Sequence, residues 1–186
     1  MRRALAVAGA ALLCVAAARA ATRVSGSLTL GAFDPQQACK FTPARMAALP
    51  KSFGAAASAI PSGSNVLLAQ CSPSSPSTKY TGTPETQAAG YGWNWTLAVG
   101  KNGKTTGLAV ETGSVILILK TGGQIKLQTV GVQKPVGAQT SAHAKGLTKG
   151  TWTVLGGKGS GTYTFATERN GSTFTKAVLH LSGSVG

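Results

Sequence analysis

The stretch Thr151–Glu168, TWTVLGGKGSGTYTFATE, admits two readings that lead to different proteins. Its centre, Leu155–Thr162 (LGGKGSGT), has the glycine density of a phosphate-cradling loop. Such a loop needs a lysine and a serine or threonine directly after its last glycine, and a helix starting there to offer free N–H groups. Here Lys158 precedes Gly159 and Gly161, and TYTFATE alternates as a strand does. Flanked by TWTVL and TYTF, the glycines read as hairpin residues that accept positive φ.

The same grammar extends along the chain. RVSGSLTL (23–30) alternates Val24, Leu28 and Leu30 with Arg23, Ser25, Ser27 and Thr29, the pattern of a half-buried strand. NVLLAQC (65–71) is a further strand. YGWNWTLAV (91–99) sets Tyr91, Trp93, Trp95, Leu97 and Val99 on one face. Asn102-Gly103 supplies a strong hairpin signal. TTGLAVE returns, SVILILK is apolar on both faces, TGGQ leads into IKLQTVGV, and Arg169-Asn170-Gly171 turns into STFTKAVLHLSGSV. About eight to ten short strands joined by glycine turns predict an all-β antiparallel meander closed as a β-barrel, with a β-sandwich as the alternative. Two stretches stand apart. Residues 34–60 read as an irregular or short helical insertion, with Thr42-Pro43 as a helix start and Pro50 as its stop. Residues 72–87, rich in proline, serine and threonine, read as an exposed loop.

The closing sequences GTWTVLGGKGSGTYTF (150–165) and TFTKAVLHLSGSV (173–185) resemble the C-terminal strands of secreted barrels in the allene oxide cyclase and dirigent-like group. There a glycine-rich turn leads to a Gly-x-aromatic strand and then to a final strand ending near a glycine. The chain departs from that pattern in lacking the longer aromatic-glycine insertion after the first glycines, and no catalytic residue carries over. The resemblance favours a barrel over a sandwich.

Residues 1–20 carry Arg2 and Arg3, an apolar run, and Ala18-Arg19-Ala20. That is the pattern of a secretory signal peptide cleaved after Ala20, leaving residues 21–186 as one secreted, extracellular or periplasmic β-domain. A lipid-bearing Cys14 is the lesser alternative, because Leu13 rather than a small residue precedes it. No later segment reaches the roughly 18 consecutive apolar residues of a membrane helix. Cys39 and Cys71 are expected to form a disulfide, as an even pair in an exported chain does. Their wide spacing is not that of zinc ligands, and no metal or other cofactor is implied.

Lysine and arginine number 18 against 4 acids. Without Arg2, Arg3 and Arg19, fifteen basic residues remain and the net charge is +11. Such a chain is drawn to anionic polymers or surfaces. Twelve of the fifteen are lysines, which act as point charges rather than bidentate forks, and this argues against sequence-specific nucleic-acid recognition. No acid lies between Glu111 and Glu168, whereas Lys120, Lys126, Lys134, Lys145, Lys149 and Lys158 all do, and a meander should bring some of them onto one polyanion-binding face.

Catalytic material is scarce. Asp34, Glu85, Glu111 and Glu168 permit a carboxylate pair without pointing to one, His180 sits within a strand, and His143 has no acid near it in sequence. Tyr91, Trp93 and Trp95 are either core or a ligand face. The leading expectation is a non-enzymatic binding or coating protein for an anionic partner. The alternative is a barrel holding a small apolar ligand, with isomerase-like chemistry as the resemblance would imply.

Overall fold

Wherever the sequence alternates, the chain is extended. The computed structural model describes residues 21–33, 65–70, 78–101, 104–140 and 142–186. Nine strands run through them: β1 (Thr22–Leu30), β2 (Asn65–Gln70), β3 (Thr78–Thr83), β4 (Thr86–Lys101), β5 (Lys104–Leu119), β6 (Gln124–Pro135), β7 (His143–Val154), β8 (Gly159–Asn170) and β9 (Thr173–Val185). There is no helix among the described residues. The insertion expected at 34–60, the signal peptide expected at 1–20 and the pair Cys39 and Cys71 lie outside them.

All pairings are antiparallel, and the strands form one sheet in the order β2-β4-β5-β6-β7-β8-β9-β1-β3. From β4 to β9 the order is that of the chain, a plain meander. β1 then pairs with β9, and β3 adds to β1 and lies against β4. Eight strands thereby come round into a nearly closed barrel. β2 is a flank that pairs only with the Thr96–Gly100 half of β4.

The stretch 72–87 departs from the loop expectation, because β3 and the start of β4 fall within it. Thr78, Tyr80, Thr81 and Thr83 suit a strand, and the ladder to β1 recruits them in spite of the proline- and serine-rich surroundings. Much of β3 is nonetheless exposed.

An eight-stranded barrel is just wide enough for side chains to fill. Here the filling is done by large rings laid over glycines on neighbouring strands. Tyr163 on β8 reaches along a single row of paired residues, Gly150 on β7, Gly131 on β6 and Glu111 on β5, and its hydroxyl donates to Glu111 Oε1 at 3.1 Å. A Cβ on Gly131 would stand 2.5 Å from Tyr163 Oη, and one on Gly150 2.5 Å from its ring. Trp152 covers Gly161 and Gly183 in the same way, with Nε1 donating to the Thr162 carbonyl at 3.1 Å. Tyr91 covers Gly113, and Tyr80 covers Gly26. Tyr91 on β4 also meets Phe165 on β8, with ring centroids 5.2 Å apart. Those two strands are four places apart round an eight-stranded ring, so the contact spans the interior and shows it filled at that level. Val24, Leu28, Val115, Leu117, Leu127, Leu179 and Leu181 complete the core.

The turn between β7 and β8 is the glycine loop of the sequence. It is a hairpin turn with Gly156 at φ 74° and Gly159 at φ 136°. Gly161 needs its glycine for another reason than the positive φ expected of it: it lies beneath the Trp152 indole. No helix follows to offer N–H groups to a phosphate; β8 does.

Two outcomes are expected. Gly131→Val and Gly150→Val should each destabilise the barrel by at least ~1–3 kcal/mol through overpacking against Tyr163, read as a lowered denaturant midpoint. Lys158→Ala should stay within ~0.5 kcal/mol of the parent, while Gly159→Val, forced into a left-handed φ, should lose ~1–3 kcal/mol.

Candidate functional site

Alternation that puts rings and glycines inside puts lysine, threonine and serine outside. On the outer face of β6 to β9 the cross-strand rows can be read from the register. The row nearest one end is Lys145, Glu168, Lys176. The next is Lys134, Leu147, Ala166, Val178. The third is Val132, Lys149, Thr164, His180, Ser27. Beyond it runs a row that is hydroxylated from β7 onward, Val130, Thr151, Thr162, Ser182, Ser25. Strands lie ~4.8 Å apart and same-face neighbours along a strand ~6.6–6.8 Å apart.

Lys134 therefore faces Leu147 directly, and Lys145 and Lys149 sit two residues to either side of Leu147 at diagonal distances of ~7–8 Å. Lys176 joins them through Glu168, whose carboxylate lies 3.5 Å from Lys145 Nζ and 3.6 Å from Lys176 Nζ. Neither Lys134 nor Lys149 is in an ion pair among the described residues. Between the first two rows runs a shallow groove of about 220 Å³, lined by Leu147, Ala166, Val136, Lys145, Glu168 and Lys176 over the backbone of Gly146 and Thr167.

The six lysines named from the sequence are thus divided. Lys134, Lys145 and Lys149 share one face at one end. Lys120, Lys126 and Lys158 belong to the opposite end, where the β5–β6 and β7–β8 turns meet through the Leu155 N–H bonded to the Lys126 carbonyl. There Lys120 is engaged by Glu85 at 2.9 Å, and this bond lowers the Glu85 pKa. Lys176 was missed because it lies beyond Glu168 in sequence; counting the Glu168–Lys176 pair across the Asn170-Gly171 turn would have found it.

The aromatic run fares differently. Tyr91 is buried in the core. Along β4 the register slips between Trp93, opposite Gly113, and Trp95, opposite Thr112. The side chains of Trp93 and Trp95 lie outside the described residues.

For acid–base chemistry the register brings no two of Glu85, Glu111 and Glu168 together; each is held by a different partner, Lys120, Tyr163 and the Lys145–Lys176 pair. Asp34 is outside the described residues. His143 is exposed at the start of β7. His180 Nδ1 and Ser27 Oγ share a 2.6 Å hydrogen bond on the outer face. A serine nucleophile would also need a third group to orient the ring and N–H donors for an oxyanion. Here no carboxylate bonds His180 among the described residues, and the surrounding N–H groups belong to sheet ladders. The pair is a cross-strand link. No cluster of three His, Cys, Asp or Glu occurs among the described residues, and no helix among them is long and apolar enough to cross a membrane.

Within the barrel the Tyr163 hydroxyl has its pKa raised, by burial first and by the Glu111 carboxylate second. The folded chain therefore holds Tyr163 protonated where an unfolded tyrosine, with a pKa of 10.0, has ionised. The stabilisation is complete below pH 10 and declines above it by up to ~1.4 kcal/mol per pH unit. Tyr163→Phe should cost ~1–3 kcal/mol near neutrality, by depriving Glu111 of a buried donor. The same change should flatten the alkaline decline, and denaturant midpoints on either side of pH 10 in both proteins measure both effects.

No protein-family model, curated protein or solved structure matches this chain.

Proposed function

We propose that this protein is a non-enzymatic β-barrel, exported from the cytoplasm, that binds an anionic polymer through the outer face of β6 to β9. The observation that carries this reading is the grouping of Lys134, Lys145 and Lys149 round Leu147, with Lys176 beside them, on a face whose single carboxylate is Glu168. Export is supported by the Arg2-Arg3 start, the apolar run and the Ala18-Arg19-Ala20 site. The other residues of these outer rows are neutral, apolar or hydroxyl-bearing apart from His180, which leaves the field there positive.

Nucleic-acid bases would need exposed rings to stack on. Trp152, Tyr163, Tyr91 and Phe165 all point into the barrel and are buried. Only Arg23, Arg45 and Arg169 follow the leader-like segment as possible base-reading forks. The partner on this reading is recognised by charge and hydrogen bonding along its backbone.

The test is titration of the protein with inorganic polyphosphate and with a polyuronate at several salt concentrations. Affinity should fall steeply with salt, because exposed charges are screened over ~8 Å at physiological ionic strength. Replacing Lys134, Lys145 and Lys149 with alanine should weaken both polymers by roughly 3- to 160-fold, at ~0.2–1 kcal/mol per exposed pair. The matched change at Lys120, Lys126 and Lys158 should do distinctly less. Equal losses from the two triple changes would mean that net charge alone, and no particular face, attracts the polymer.

A further inference from the structure

Glu168 is the odd residue on the basic face. A surface shaped only to attract negative charge would carry a neutral residue there, yet a carboxylate stands at the centre of the Lys145–Glu168–Lys176 row. Its two ion pairs, at 3.5 and 3.6 Å, are long, well beyond the ~2.7–2.9 Å of a tight charge-assisted bond. Their side chains remain open to solvent, 59% and 62% for the lysines and 38% for the glutamate. Both signs of charge are thus presented outward, side by side, with donors and acceptors still to offer.

Directly against that row lies the groove floored by Leu147 and Ala166. Its volume of about 220 Å³ falls below the ~300–1,000 Å³ of sites for drug-sized ligands, and suits one small ring. The site therefore combines an apolar floor, a hydroxyl-accepting carboxylate and ammonium groups flanking it. A nucleic acid or a polyphosphate has no use for the carboxylate. A sugar ring that bears an acid group uses all three: its C–H face on Leu147 and Ala166, its hydroxyls donating to Glu168, and its carboxylate or sulfate between the lysines. Beyond the groove, Thr164, Thr151 and Thr162 continue on the same outer face with further hydroxyls for neighbouring rings.

We infer that the groove between the Lys145–Glu168–Lys176 row and Leu147–Ala166 is a subsite for one ring of an acidic polysaccharide. The inference rests on the polyanion reading and narrows it to a chemical class. With no aromatic platform among these residues, each ring is held weakly. A polymer that repeats the ring gains by multivalent engagement what one ring lacks.

The test is Glu168→Gln, assayed with two probes, a polyuronate and inorganic polyphosphate. Removing the negative charge should tighten polyphosphate about two- to fivefold. Losing a charged acceptor for sugar hydroxyls should weaken polyuronate about tenfold. Opposite signs support the subsite. A common tightening of both polymers, or no change in either, overturns it while leaving the polyanion reading intact. A wild-type protein that binds neither polymer overturns both. Leu147→Thr, a strand-compatible change that roughens the floor, is the second variant. It should weaken polyuronate several-fold and leave polyphosphate within twofold, and an equal effect on the two also counts against the subsite. Thermal melts of both variants confirm that the barrel is retained.

Discussion

The bond from Tyr163 to Glu111 can exist only because two glycines lie under it. The phenol crosses β7 and β6 at Gly150 and Gly131 before its hydroxyl meets the carboxylate on β5. A single added methyl at either place would collide with it. The Glu111 carboxyl is fully buried and takes a hydrogen bond from that hydroxyl, and a buried polar group deprived of such a partner costs about 1–3 kcal/mol. Ring, glycines and glutamate are therefore one unit spread over four strands. The pairs Trp152 with Gly161 and Gly183, Tyr91 with Gly113, and Tyr80 with Gly26 repeat the arrangement round the ring. Glycine within strands lets a sheet bend sharply and lets a neighbour's ring settle on its backbone. The interior is thus both curved and filled by the same residues.

What the interior demands, the exterior inherits. In Thr151-Trp152-Thr153 and Thr162-Tyr163-Thr164 the ring is inside and both threonines are outside. Because the inward register is fixed by the ring-on-glycine contacts, a one-residue slip would put Trp152 and Tyr163 in water. The outward rows of lysine and hydroxyl are held in place by the same penalty. The basic face is a surface pattern, but its precision comes from the core behind it.

Much of this was legible in the sequence, and the exceptions have physical causes. Period-two alternation predicted β1 and β4 to β9 and the glycine turns predicted their connections, while the choice of a barrel over a sandwich was favoured only by the resemblance of the closing strands. The run SVILILK reads as apolar on both faces, and Val115 and Leu117 point inward while Ile116 and Ile118 remain over a third exposed. β3 was hidden because its composition is that of a loop and only pairing with β1 makes it a strand. The register shift between Trp93 and Trp95 was hidden because a bulge is a property of two strands and not of one. Glu111 could have been placed inside, since it shares its parity with Ala109, Val115 and Leu117. What no parity count could supply is the Tyr163 hydroxyl that makes the position acceptable. For the lysines, proximity in the chain is plain from the sequence, but the separation of Lys134, Lys145 and Lys149 from Lys120, Lys126 and Lys158 depends on which end of each strand they occupy.

The place of β1 in the sheet bears on how the barrel comes into being. β1 pairs with β9, from Thr22 opposite Val185 to Leu30 opposite Ala177, so the earliest strand of the barrel takes the last as its neighbour. During synthesis the six strands from β4 to β9 can be laid down in order, each finding its partner already made. β1 and the short β3 can pair with each other, but the other edge of β1 stays open until β9 emerges. Contacts so distant in sequence are slow to form, and until they do Val24, Leu28 and Leu30 lack the β9 residues that flank them in the barrel. The nascent chain therefore spends its most vulnerable interval with an open sheet at both edges, and the step that ends that interval is the arrival of a strand carrying Leu179 and Leu181 to receive it.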